Sequence, residues 1–240
     1  MQIFAHRGVI GRNADENSIE AVRRAVAMGV DGIEVDIRCS RDDEAVLVHD
    51  PDLRRIAGDI RQVADLSVKE LLDVPLRHGS RVATLDDLTA NVPAPIALDL
   101  EVKDKDALDL MIRKLKTSTG LRDRTILSSF SQDVIELASH DLPDVRRLIL
   151  MRAWPVRFRF FIEWVNLHGL YGVGFLSRFW TSKRVDRIHA HGLKAVAWEQ
   201  FGTRSARGRA HRLLAAGIDI IIANQPAVYQ RIRSEEQQLR

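Results

Sequence analysis

Cysteine is almost absent from this chain: Cys39 is the only one in 240 residues. A single thiol excludes an internal disulfide framework and a cysteine-rich zinc site, and it suits a reducing compartment without requiring one. Long hydrophobic runs are missing too, since none approaches the roughly 20 residues that span a bilayer. The chain opens directly on strand-like Met1-Gln2-Ile3-Phe4, which leaves no room for a signal peptide, so a cytoplasmic protein is expected. Charge of one sign is scarce: 36 Lys and Arg against 33 Asp and Glu leave a net charge of +3. So small an excess, with no zinc-finger spacing, basic arm or aromatic-plus-basic RNA motif, argues against nucleic acid as a partner. Gly-x-Gly-x-x-Gly phosphate loops are also lacking, which weakens a nucleotide-binding sheet.

What is present alternates regularly. Strand-like runs fall at 2–6, 31–36 with an extension at 45–48, 96–102, 125–129, 145–150, 171–176, 193–198 and 218–222. Between most of them lie helix-like spacings such as Ile19, Val22, Val26 and Leu108, Met111, Ile112, Leu115. Eight strands alternating with helices predict an α/β fold closed as a (β/α)8 TIM barrel, with an open doubly wound sheet as the main rival. Gly29, Gly192 and Gly217 each read as the glycine just past a helix end. Asn17 or Asp15 is expected to cap the first helix, and Thr84 to start the second. Residues 50–80, too long for a simple loop, form a small insertion after the second strand, placed over the active-site face. Residues 1–233 then make a single barrel domain, and 234–240 a polar tail.

Charged residues stand where strands end. Ile3-Phe4-Ala5 runs into His6-Arg7, Ile33 into Glu34-Val35-Asp36, Val46-Leu47-Val48 into His49-Asp50, and Leu98-Asp99-Leu100 into Glu101-Val102-Lys103. Buried charges are costly unless paired or metal-bound, so these belong together. Alternation puts Glu34 and Asp36 on one face, and Glu101 and Lys103 likewise. Three carboxylates make an oxygen-rich pocket for a divalent cation, Mg²⁺ or Ca²⁺. Arg7 and Lys103 add positive charge suited to a phosphoryl group. His6 and His49 fit as the proton-transfer pair, with the nearby carboxylates expected to favour the imidazolium form.

The ordered set His6-Arg7-Gly8, Glu16-Asn17-Ser18, Glu34-Val35-Asp36, His49-Asp50, Thr84-Leu85-Asp86-Asp87-Leu88 and Glu101-Val102-Lys103 resembles the glycerophosphodiester phosphodiesterase family. The resemblance implies a barrel enzyme that cleaves glycerophosphodiesters to glycerol 3-phosphate and an alcohol with a divalent cation. It also implies His6 and His49 as acid and base, Glu34, Asp36 and Glu101 as metal ligands, and Arg7 and Lys103 as phosphate-binding cations. The chain departs from the family pattern late: Trp198-Glu199-Gln200-Phe201 stands for Trp-Thr-x-Asn, and Ala223-Asn224-Gln225-Pro226 for Thr-Asp-x-Pro. These departures fall where the alcohol group of a substrate would bind. Related barrel phospholipases of the lysophospholipase D or sphingomyelinase D kind, and a silent phosphate-binding barrel, are the alternatives.

Other residues receive plainer readings. Glu16, Asn17 and Ser18 read as helix-start residues. Trp198 either stacks on substrate or fills the barrel mouth. Ser128 and Ser129 end a strand and are expected near the pocket, while His189 and His191 are expected on the surface. The aromatic and basic run Trp154–Trp164 predicts a helix packed on the barrel, and it also suits weak contact with a membrane or lysolipid.

Overall fold

The computed structural model describes residues 1–200 and 206–238. Nine strands form one sheet: β1 Gln2–His6, β2 Gly32–Cys39, β3 Ala45–Leu47, β4 Ala97–Val102, β5 Thr125–Ser129, β6 Arg146–Met151, β7 Gly172–Leu176, β8 Lys194–Trp198 and β9 Ile220–Ala223. Eight are parallel, in the order β1-β9-β8-β7-β6-β5-β4-β2, and β1 pairs with β2 to close the barrel. Helices lie between the strands, so the fold is the expected (β/α)8 barrel.

The pleat separates two cores. Ile3, Ala5, Ile33, Val35, Ile37, Leu98 and Leu100 pack with the helices in the larger core. The intervening residues face inward, and Phe4, Ile126, Leu148, Val196 and Ile220 fill the barrel itself. A Cβ on Gly32 would lie 2.6 Å from the Phe4 ring, so glycine is required there.

The apolar run at 45–48 does not extend β2. It forms β3, antiparallel to the end of β2 with Ile37 opposite Leu47. The cause is a tight polar turn: Ser40 Oγ donates to Asp42 and accepts from the Glu44 N–H, and Asp43 takes φ 60°. Reversal matters for the site, because the returning chain hydrogen-bonds Val48 N–H to the Asp36 carbonyl and sets His49 beside it.

Beyond β3, short helices Arg54–Ala57 and Val68–Leu72 gather a small cluster of their own, including Leu53, Ile56, Val63, Leu71 and Val82. The helix Phe158–Leu167 buries Phe158, Phe161, Ile162 and Val165, while Val156 and Phe160 stay exposed beside Arg157 and Arg159. The last helix, Pro226–Gln238, continues through residues 234–238. No helix among the described residues is long and apolar enough to cross a membrane.

Candidate active site

At the C-terminal ends of the strands, register brings the predicted residues together. His6 pairs with Glu34 across β1–β2, and Asp36 with Glu101 across β2–β4. Both ladders are parallel, so their inward side chains converge. Arg7 follows with φ 58°, a conformation uncommon for a residue with a Cβ, and Gly8 with φ 80°. At Gly8 a Cβ would meet the Ala21 backbone at 2.7 Å, so only glycine lets the chain turn against the first helix.

That helix, Ile19–Met28, is capped by Ser18, whose side chain accepts from the Ala21 N–H, and Gly29 closes it with φ 68°. Asn17 and Asp15 do not cap it, because both are engaged elsewhere. Asn17 takes φ 58°, donates to Asp36 Oδ2 at 2.8 Å and accepts from the Asp36 N–H. Asp15 accepts from the backbone of His78 and Ser80 in the insertion. Glu16 also departs from its helix-start reading: it accepts from Arg7 Nη1 at 2.8 Å and from both terminal nitrogens of Arg55. Only Ser18 plays the role the sequence suggests.

Glu34, Asp36 and Glu101 are buried, and each offers a carboxylate oxygen within 4.8 Å of the others. Burial and the charges of Asp36 and Glu101 push the Glu34 carboxyl well above the usual range. Burial also raises Glu101, against the pull of Lys103. For Asp36 burial is outweighed by Lys103, Arg7 and His49, so its carboxyl is held below the usual range. Lys103 Nζ lies 2.6 Å from Asp36 Oδ1 and contacts Glu101. Arg7 Nε lies 3.0 Å from Asp36 Oδ2. Glu34 Oε1 is buried with no hydrogen-bond partner among the described residues. A compact set of hard oxygens, with the buried Glu34 Oε1 left without a hydrogen-bond partner, fits a divalent cation.

The two histidines differ in their partners. His6 Nδ1 lies 2.6 Å from Asn224 Oδ1, and Asn224 Nδ2 donates to the Gln200 carbonyl. An amide oxygen only accepts, so Nδ1 carries the hydrogen of neutral His6 and Nε2 the lone pair. Burial, reinforced by Arg7, lowers His6 to about 4. His49 Nδ1 is 2.7 Å from Asp50 Oδ1, and the Arg38 guanidinium donates to the His49 carbonyl. Burial lowers His49 as well, joined by Lys103 and Arg7 and opposed by Asp36 and Asp50. Neither histidine therefore follows the expectation that nearby carboxylates would hold it charged: burial outweighs them.

The site opens into a cavity of about 420 Å³. His6, Arg7, Glu34, His49 and Glu101 line it, and so does Trp198, edge-on to Phe130 at 5.3 Å. Asp36 and Lys103 stand behind this wall in contact with its members. Ser128 and Ser129 are buried outside it, and Ser129 Oγ donates to the Val102 carbonyl. His189 and His191 are both exposed, and His189 bonds Asp219. Phe201 lies outside the described residues. Sequence reading misses Arg55, Arg152 and Arg178, and it sets Asn224 near the substrate's alcohol without its contact to His6.

Comparison with known proteins shows the family. A model of the Glycerophosphoryl diester phosphodiesterase family matches residues 6–228. A glycerophosphodiester phosphodiesterase of Caldanaerobacter subterraneus is 26% identical over 242 residues, covering 93% of this chain and 94% of that protein. A lysophospholipase D of Rattus norvegicus is 27% identical over 156 residues, 59% of this chain and 49% of that protein. Among solved structures, a phosphodiesterase of Oleispira antarctica, in complex with the product sn-glycerol-3-phosphate, superposes with a TM-score of 0.82. It is 22% identical and covers 98% of this chain and 97% of that one.

Proposed function

The chain belongs to the glycerophosphoryl diester phosphodiesterase family and is a phosphoric diester hydrolase; from that premise we propose that it cleaves glycerophosphodiesters to glycerol 3-phosphate and an alcohol, with a divalent cation and a two-histidine acid–base pair. The observation that carries the reading is a cluster of three buried carboxylates, two of them lining the same cavity as both histidines. The product named for the Oleispira antarctica protein, glycerol 3-phosphate, supports the substrate class.

Glu34, Asp36 and Glu101 would hold Mg²⁺ or Ca²⁺. Bound there, the cation supplies positive charge against phosphoryl oxygens as negative charge builds on them. Arg7 presents a guanidinium to the same oxygens, held in place by Glu16 and Asp36. Lys103 balances the carboxylates and lends its charge to the phosphoryl site.

His6, neutral and with its lone pair on Nε2, takes the proton from the attacking hydroxyl, which comes from water or from the glycerol arm. His49, whose imidazolium Asp50 can stabilise, gives a proton to the oxygen of the departing alcohol. One O–P bond forms and one breaks, and the net change consumes one water. Trp198 shapes the arm-binding wall. General acid–base catalysis is worth about 10²–10⁴-fold, so His6→Ala and His49→Ala should each lose that much turnover while keeping the native circular dichroism spectrum. Near-wild-type turnover in either folded variant would remove that histidine from the mechanism.

A further inference from the structure

The cavity has two walls of different chemistry. One, at the ends of β1, β2 and β4 and just past β3, holds the carboxylates, Arg7 and the histidines, where the scissile phosphorus belongs. The other, at the ends of β5 to β9, is an apolar floor of Leu150, Leu176 and Ile222 with the rings of Phe130 and Trp198, rimmed by Arg152 and Arg178. Arg152 follows Met151 at the end of β6, and Arg178 follows Leu176 and Ser177 at the end of β7.

Neither rim arginine has a carboxylate partner among the described residues, whereas Arg55 in the same cavity is taken up by Glu16 and Asp50. Each instead lies over an aromatic ring, Arg152 over Phe130 at 5.0 Å and Arg178 over Phe179 at 4.9 Å. Stacking on a ring limits the rotamers of a guanidinium and leaves its donors available to a ligand. The carboxylate nearest in kind, Glu199, adds no balancing charge: Arg209, Tyr229 and the Asn224 N–H bind its oxygens. A positive rim over an apolar floor repels a quaternary ammonium and attracts an anion.

We infer that this wall receives a substrate arm bearing a second anionic group, so that the preferred diesters are glycerophosphodiesters whose alcohol ends in a phosphate. The inference rests on the phosphodiesterase reading above and adds the class of alcohol. The two guanidiniums grip the terminal phosphate through charge-assisted hydrogen bonds, and the carbon chain lies on the floor. Arm chemistry, not the scissile phosphate, sets the discrimination.

The test compares three diesters with the same glycerophosphoryl unit: glycerophosphoglycerol, glycerophosphoglycerol carrying a terminal phosphate, and glycerophosphocholine. Loss of the diester signal is followed by ³¹P NMR. Wild-type kcat/KM should be at least about tenfold higher for the terminally phosphorylated diester than for glycerophosphoglycerol, with glycerophosphocholine lowest. The double variant Arg152→Gln, Arg178→Gln should bring the phosphorylated-to-neutral ratio close to one, and Arg152→Lys, Arg178→Lys should restore part of it. Equal kcat/KM for all three diesters, or an equal loss on all three in the glutamine variant, would overturn the inference and leave the phosphodiesterase reading intact. Failure of folded protein to cleave any of the three would overturn that reading and the inference with it.

Discussion

Asn224 decides the state of His6. Its Oδ1 fixes the hydrogen on Nδ1 without adding charge, and burial then keeps the ring neutral down to about 4. Asn224→Asp would place a carboxylate at the same 2.6 Å contact. A nearby negative charge favours the imidazolium, so the folded pKa of His6 rises. Since the proposed base must be neutral, the acid limb of the kcat/KM profile should move to higher pH, by about one unit or more. Activity at pH 5 to 6 should fall more than activity at pH 8, and an unmoved acid limb would show that His6 is not the base. The bond of Asn224 to His6 is not legible from sequence, because the two lie 218 residues apart and no local pattern joins them. Arg55 is hidden in the same way, meeting Glu16 across 39 residues.

Among the elements, the entry to the first helix shows what pattern can and cannot tell. Glu16, Asn17 and Ser18 are all residue types that favour helix starts, yet each has a separate task. The deciding facts are the positive φ of Asn17 and the nearness of Asp36 and Arg55, and neither is written in local spacing. Ser18→Ala should therefore cost about 1 kcal/mol in urea unfolding, the usual loss for a cap, with little change in cation affinity. Asn17→Ala should weaken cation binding more than it weakens the fold, since it frees Asp36 from two hydrogen bonds. Equal effects of the two variants on cation titration would contradict this division. The barrel strands were legible because alternation survives wherever one face meets the helices. The direction of β3 was not, because Ala45-Val46-Leu47 carries no polarity of its own and the reversal lies in the Ser40–Glu44 turn.

For the whole molecule, the carboxylate cluster is a liability that a bound cation would relieve. Glu34 and Glu101 have folded pKa values above their unfolded ones. Stability from such groups is greatest when they are protonated and is lost as pH rises through the folded pKa values. A cation displaces those protons, so its affinity and its stabilising effect should grow over the same rise in pH. At a concentration of 100 Kd the gain is about 2.7 kcal/mol, on the order of 5–10 °C in Tm for a chain of this size. Mg²⁺ or Ca²⁺ should raise Tm clearly at pH 8 and little at pH 5, and Glu34→Gln should reduce the effect. A Tm indifferent to the cation at pH 8 would argue against the cluster as a metal site. The β2–β4 pairing builds the cluster, and barrel closure through β1–β2 brings His6 beside its Glu34.

The most direct test is release of glycerol 3-phosphate from glycerophosphodiesters by purified protein with Mg²⁺, Ca²⁺ or EDTA. The account predicts release that EDTA abolishes and that one of the two cations restores. Release unaffected by EDTA, or none from folded protein with either cation present, would contradict it.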